Sequence, residues 1–190
     1  MLAGVVGVLY SLLVIGPRPI NPRNVEWLSP DPSTYQIAWE LYRQDPKLRW
    51  PLTFTDRIGY PQGESISLMD PNPLLAVSLK PFSRFLPEPG QYQGLEVVVI
   101  FVLQFFFALM LFRVLLGPDP FAVALPAVFF LVAPLLTCKI AGGHFSNGNH
   151  WLIVAALLAF CLAQRRSPGS ISRFTSYALI LAGFAVAINP

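Results

Sequence analysis

Apolar and polar positions fall into long blocks along this chain. Residues 1–15 make an uncharged apolar run, shorter than the roughly 20 residues that a straight membrane helix needs. Residues 96–116 make a nearly unbroken one, and at 1.5 Å per residue about 20 residues span roughly 30 Å of hydrocarbon. Gly117-Pro118-Asp119-Pro120 is a tight turn. The apolar pattern then returns over 121–136, with Pro126 and Pro134 tolerated as prolines are in membrane helices. Residues 137–149 read as a short polar hairpin, 150–164 as a fourth crossing and 174–188 as a fifth. The first run has no basic n-region and no small-residue cleavage site, so it reads as an uncleaved helix rather than a signal peptide.

Residues 16–95 are too polar and too rich in proline to span a bilayer. Pro17, Pro19, Pro22 and Pro30 make the opening of this loop extended. A helix is predicted next, with Asp31 at the N-cap and Pro32 at its first position. Tyr35, Ala38, Trp39 and Tyr42 then share one face. That aromatic face predicts a helix lying in the membrane interface. Trp50-Pro51 and Tyr60-Pro61-Gln62-Gly63 carry turn chemistry. Asp70-Pro71 repeats the cap-plus-proline start, followed by Leu75, Leu79, Phe82 and Leu86 at helical spacing, a kink at Pro81, and a stop at Pro87 and Pro89.

Composition agrees with this pattern. The chain is 54% hydrophobic and 12% charged, against about a quarter charged in a soluble domain. The expected fold is an all-α integral membrane protein of about five transmembrane helices. A large first extracytoplasmic loop carries interfacial amphipathic helices. No basic cluster interleaved with aromatics points to nucleic acid, and no Walker, GxGxxG, HExxH or CxxC pattern is present. The expected partners are membrane lipids. Arg113, Arg165, Arg166 and Arg173 fall on one side if the segments alternate, which makes that side cytoplasmic. The long loop and the 137–149 hairpin then share the extracytoplasmic face of a bacterial inner membrane. The chain ends at Asn189-Pro190 as the fifth run reaches that face, which reads as the front part of a longer protein.

Candidate chemistry is sparse. Asp31 suits a general base or a helix cap worth about 0.5–2 kcal/mol, and the two roles are compatible. Asp70 carries the same pair of readings. His144 and His150 flank a polar turn, where they can donate hydrogen bonds to a phosphate or cap helix ends. Lys80, Arg57 and Arg84 suit phosphate or headgroup contacts. Tyr35 and Trp39 suit stacking on sugar rings or anchoring in the interface. No third ligand at metal spacing accompanies the histidines, so a divalent metal has no ligand motif behind it.

One ordered set of residues carries a resemblance. It runs through the 31–43 helix with Trp39, Tyr60-Pro61-x-Gly63, Asp70 with Pro73-Leu74-Leu75-Ala76, Lys80, Leu86-Pro87, Gln91-Tyr92-x-Gly94-Leu95, Gly143-His144 and His150-Trp151. In these the chain resembles the N-terminal part of a bacterial multi-pass membrane family described as a domain of unknown function. That family is similar in layout to the GT-C glycosyltransferases. The resemblance implies transfer of a sugar from a polyprenyl-phosphate donor to a cell-envelope glycan or lipid, with an acidic residue of the first external loop acting on the acceptor. Asp31 matches that position. Pro32 follows it directly, so the paired-carboxylate form of the motif is missing. The alternative is a non-catalytic multi-pass protein, either an envelope-polysaccharide transport or assembly subunit or an inactive fragment.

Overall fold

The computed structural model describes residues 2–28, 33–69 and 72–165, together with 175, 178 and 181–183. The chain is mostly helical. Helix α1 (Leu2–Ile15) leads into a cap made by residues 16–92. The cap contains α2 (Ser33–Gln44), an antiparallel ribbon of β1 (Phe54–Thr55) and β2 (Glu64–Ser65), and α3 (Pro73–Leu79). After it come α4 (Gln93–Leu116), α5 (Pro120–Leu131), α6 (Pro134–Ala141) and α7 (Trp151–Arg165). The ribbon is a small addition to the expected all-helical fold. Short 3₁₀ turns at Arg18–Ile20, Glu26–Leu28, Ile66–Met69, Lys80–Phe85 and Ser146–Gly148 join the pieces.

Among the described residues three helical stretches are long and apolar enough to cross a membrane: Gln93–Leu116, Pro120–Ala141 and Ser146–Arg165. Helix α1 is apolar but has only 14 residues. The expected fifth crossing at 174–188 lies mostly outside the described residues, which hold three such spans and one shorter apolar helix against the five expected.

Helix α4 is the centre of the bundle and packs against α1, α5 and α7. On α1, Gly7 makes a close approach: a Cβ there would lie 2.6 Å from Val102 Cα. The Tyr10 ring meets Phe101 edge-on at 5.0 Å, and the Tyr10 hydroxyl is 3.0 Å from Thr137 Oγ1, tying α1 to α6. Asp119 caps α5, accepting from the Phe121 and Ala122 N–H groups at 2.9 and 3.3 Å, with Pro120 as the first helical residue. The expected continuous run over 121–136 is broken. Ala133 leaves the helical conformation (ψ 122°) because Pro134 disfavours it in the residue before, and the helix restarts at Pro134. Helix α6 then runs to Ala141, so the polar loop begins at Gly142 rather than Thr137. Phe107 stacks on Trp151 at 5.7 Å. Gly148, just before α7, lies against Ile100, so α4 and α7 run in the same direction, and Arg113 and Arg165 fall in their last turns, at the end away from the cap.

Candidate functional site

The cap has its own core. Ala38, Trp39, Tyr42, Ile58, Ile66, Ala76 and Tyr92 are buried against one another, with Trp39 1% exposed. The aromatic face of α2 expected in the membrane interface is therefore an interior face. The remaining member, Tyr35, packs with Trp27 on Phe145 of the 142–150 loop at 5.7 and 5.4 Å. This joins the two polar elements expected on one face of the protein, by aromatic packing rather than by a polar contact.

Beside the core lies a buried polar group. The Tyr42 hydroxyl donates to the Leu52 carbonyl at 2.5 Å, and burial, followed by the nearby Asp45 charge, pushes its pKa up to about 12. Lys80 is 6% exposed. Its ammonium donates to the Lys47 carbonyl at 3.1 Å and sits 3.8 Å above the Tyr42 ring. Burial lowers the Lys80 pKa, and the Asp45 charge opposes that effect. Burial alone would raise Asp45. It is outweighed by the Lys47 N–H, the Thr55 hydroxyl at 2.9 Å, the Asp56 N–H and the Lys80 charge, which hold the carboxyl below its ordinary range. A depressed carboxyl stabilises the fold above its unfolded-state pKa, and that contribution disappears as pH falls through the folded value. The cap is expected to lose stability on acidification below about pH 4. Asp45→Asn should flatten that dependence, as read by denaturant unfolding at several pH values. An equally steep acid limb in the variant would assign it to other carboxylates.

Two sets of hydrogen bonds close the cap. The Arg43 guanidinium, in the last turn of α2, donates to the carbonyls of Pro87, Ser83 and Leu86 at 2.6, 3.0 and 3.1 Å. Glu40 accepts from the Gly90 N–H at 2.7 Å and lies 3.6 Å from Arg43. At the foot, Gln91 Nε2 donates to the carbonyls of Pro19 and Asn21 at 2.7 and 3.1 Å, while its Oε1 accepts from the Gly94 N–H at 2.8 Å. Asn72 caps α3 by accepting from the Leu75 N–H at 3.3 Å, and its amide donates to Glu96 in the first turn of α4 at 3.0 Å. The cap residue of α3 is thus Asn72 before Pro73, in place of the expected Asp70 before Pro71.

The predicted site residues divide by environment. Asp31 and Asp70 lie outside the described residues, between Leu28 and Ser33 and between Met69 and Asn72 in the chain. Arg57 and His144 are exposed, and His150 is partly exposed on the turn leading into α7. Lys80, Tyr35 and Trp39 face inward, as described. Among the described residues no group of three His, Cys, Asp or Glu side chains is arranged to hold a metal ion.

Sequence reasoning passed over a cleft of about 710 Å3 on the cap, lined by Arg18, Asn21, Arg23, Asn24, Glu26 and Trp27 among others. A smaller slot of about 240 Å3 adjoins it, with Ile20, Pro22, Trp39, Leu86 and Leu95 in its wall. The signal available was Arg18 and Arg23 interleaved with prolines directly after the first apolar run.

A family model described as "Domain of unknown function (DUF6311)" matches residues 4–190, nearly the whole chain. The chain belongs to this family. No curated protein and no solved structure matches it. In this DUF6311 member the residues that carried the resemblance have structural work that can be stated. Gln91 and Gly94 close the cap on α4, Leu86 and Pro87 present carbonyls to Arg43, and Ala76 is fully buried in the cap core.

Proposed function

We propose that the chain is a multi-pass, GT-C-like membrane glycosyltransferase that moves a sugar from a polyprenyl-phosphate donor to a cell-envelope glycan or lipid acceptor. The observation that carries this reading is a folded polar cap seated at one end of an apolar bundle and packed on the 142–150 loop through Trp27, Tyr35 and Phe145. Arg113 and Arg165 at the opposite end support a cytoplasmic side there by the positive-inside rule, with the cap on the far side, where lipid-linked donors are used. Asp31 serves as the base that takes the acceptor hydroxyl proton while positive charge grows on the anomeric carbon. His144 and His150 are the donors available to the sugar phosphate from the loop under the cap.

The test is mass spectrometry of envelope glycans from a deletion strain complemented with wild type, Asp31→Asn or Asp31→Ser. Asn and Ser suit a helix start as well as Asp does. Both variants are expected to express normally and to lower transfer about 10²- to 10⁴-fold. Full restoration by both moves the base to Asp70 or elsewhere. A deletion that leaves every glycan unchanged moves the protein to a non-catalytic role in envelope assembly.

A further inference from the structure

The cleft and the slot lie on the two sides of one cap segment. Asn21 and Arg23 line the cleft, whereas Ile20 and Pro22 line the slot, and on the facing edge Pro89 and Gly90 are divided in the same way. The segment is held in place by local bonds. The Arg23 N–H donates to Asn21 Oδ1 at 3.0 Å, the Glu26 N–H to Asn24 Oδ1 at 3.2 Å, and Asn24 Nδ2 to the Arg18 carbonyl at 3.4 Å. Gln91 ties its carbonyls to the start of α4. Arg18 and Arg23 therefore project from a fixed turn.

Both arginines are exposed, and neither forms an ion pair among the described residues. Among the described residues of the cleft lining Glu26 is the one acidic residue, which leaves that set net positive. Two guanidinium groups with no carboxylate partner match a phosphate, which each can bind through paired N–H donors. The slot has the opposite chemistry. Its wall is mostly apolar, and two of its residues, Ile20 at 43% and Leu95 at 53%, stay open to the outside. Leu95 lies in the first turn of α4, a helix long and apolar enough to cross a membrane, so the slot opens at the level where that span begins. One ligand satisfies both hollows only if it has an anionic head and an apolar chain. The slot, at about 240 Å3, is below the usual ~300–1,000 Å3 of small-molecule pockets, which suits one chain and not two.

We propose that this edge of the cap binds a single-chain lipid phosphate, with the phosphate between Arg18 and Arg23 and the first carbons of the chain crossing the Ile20–Pro22 edge into the slot. As the seat of a donor's lipid phosphate this assignment rests on the transferase reading. As a binding site it does not.

The experiment uses the full chain in phosphatidylcholine nanodiscs, titrated with inorganic phosphate and with butyl, hexyl and octyl monophosphate, with calorimetric detection. Affinity is expected to rise about 4-fold per methylene until the slot is filled. Arg18→Gln and Arg23→Gln should each weaken alkyl phosphate binding about 10-fold or more. Both side chains are exposed, so unchanged elution and tryptophan fluorescence should accompany the loss. Leu95→Gln should flatten the chain-length dependence while sparing butyl phosphate. Inorganic phosphate binding as tightly as octyl phosphate would reduce the site to a free-anion site and overturn the proposal. Competition by phosphatidylglycerol nanodiscs equal to that of octyl phosphate would overturn it in favour of general headgroup contact. Wild-type affinity in both arginine variants would also reject it. The glycan test on Asp31 is blind to these titrations. Failure here leaves the transferase reading with a donor phosphate held elsewhere, and failure there leaves a lipid-binding protein.

Discussion

Gly94→Ala is expected to destabilise the cap by about 3 kcal/mol or more, at the upper end of the overpacking range. A Cβ at Gly94 would stand 1.8 Å from the Pro19 carbonyl oxygen and 2.6 Å from its carbon. The obstacle is backbone, so no rotamer change relieves it. Either the 18–22 turn lifts from α4, breaking the Gln91 bonds to Pro19 and Asn21, or the first turn of α4 unwinds. Thermal unfolding followed by tryptophan fluorescence reads the loss, with Leu95→Ala at the neighbouring, half-exposed position as the control. Equal midpoints for wild type and Gly94→Ala would show that the turn does not sit against α4 as described.

Arg43→Met is the second large effect, about 3–5 kcal/mol. Its guanidinium side chain is 6% exposed and holds three carbonyls at the end of the 80–87 segment. Methionine keeps the apolar stem but leaves those carbonyls without a donor and strands the half-paired charge of Glu40 nearby. Arg43→Lys should recover less than half of the loss, because an ammonium is a compact charge and cannot reach three acceptors in a planar fork. Limited trypsin digestion at Arg84 gives an independent readout, with cleavage accelerating in step with the loss of stability. If lysine restores full stability, the carbonyl clamp is not what holds the segment.

The apolar blocks were the most legible part of the chain. Helix α1 covers the first run from Leu2 to its end at Ile15, and α4 extends the expected 96–116 span by one turn to Gln93. The interior of the cap was not legible, for a physical reason. Tyr35, Ala38, Trp39 and Tyr42 repeat at helical spacing, and that spacing is the same whether lipid or protein covers the face. The covering residues, Ile58 to Tyr92, are remote in sequence. Asp70-Pro71-Asn72-Pro73 contains the cap-plus-proline signature twice in register, and the choice of Asn72 depends on Glu96, 24 residues away, accepting from its amide. The Arg43 clamp left no trace because backbone carbonyls have no side-chain signature. Of the candidate site, Asp31 and the loop with His144 and His150 stood out in the sequence, but the hollow beside Arg18 and Arg23 depends on a turn that Gln91 fixes from across the cap.

That last bond also constrains how the protein is made. Gln91 reaches back 72 residues to Pro19, so the two feet of the cap can be stitched together only after Gln91 has left the ribosome. Until then the cap sequence hangs as an open loop of that length, with its aromatic residues uncovered. A chain arrested before Gln91 would present α1 with an unfinished cap.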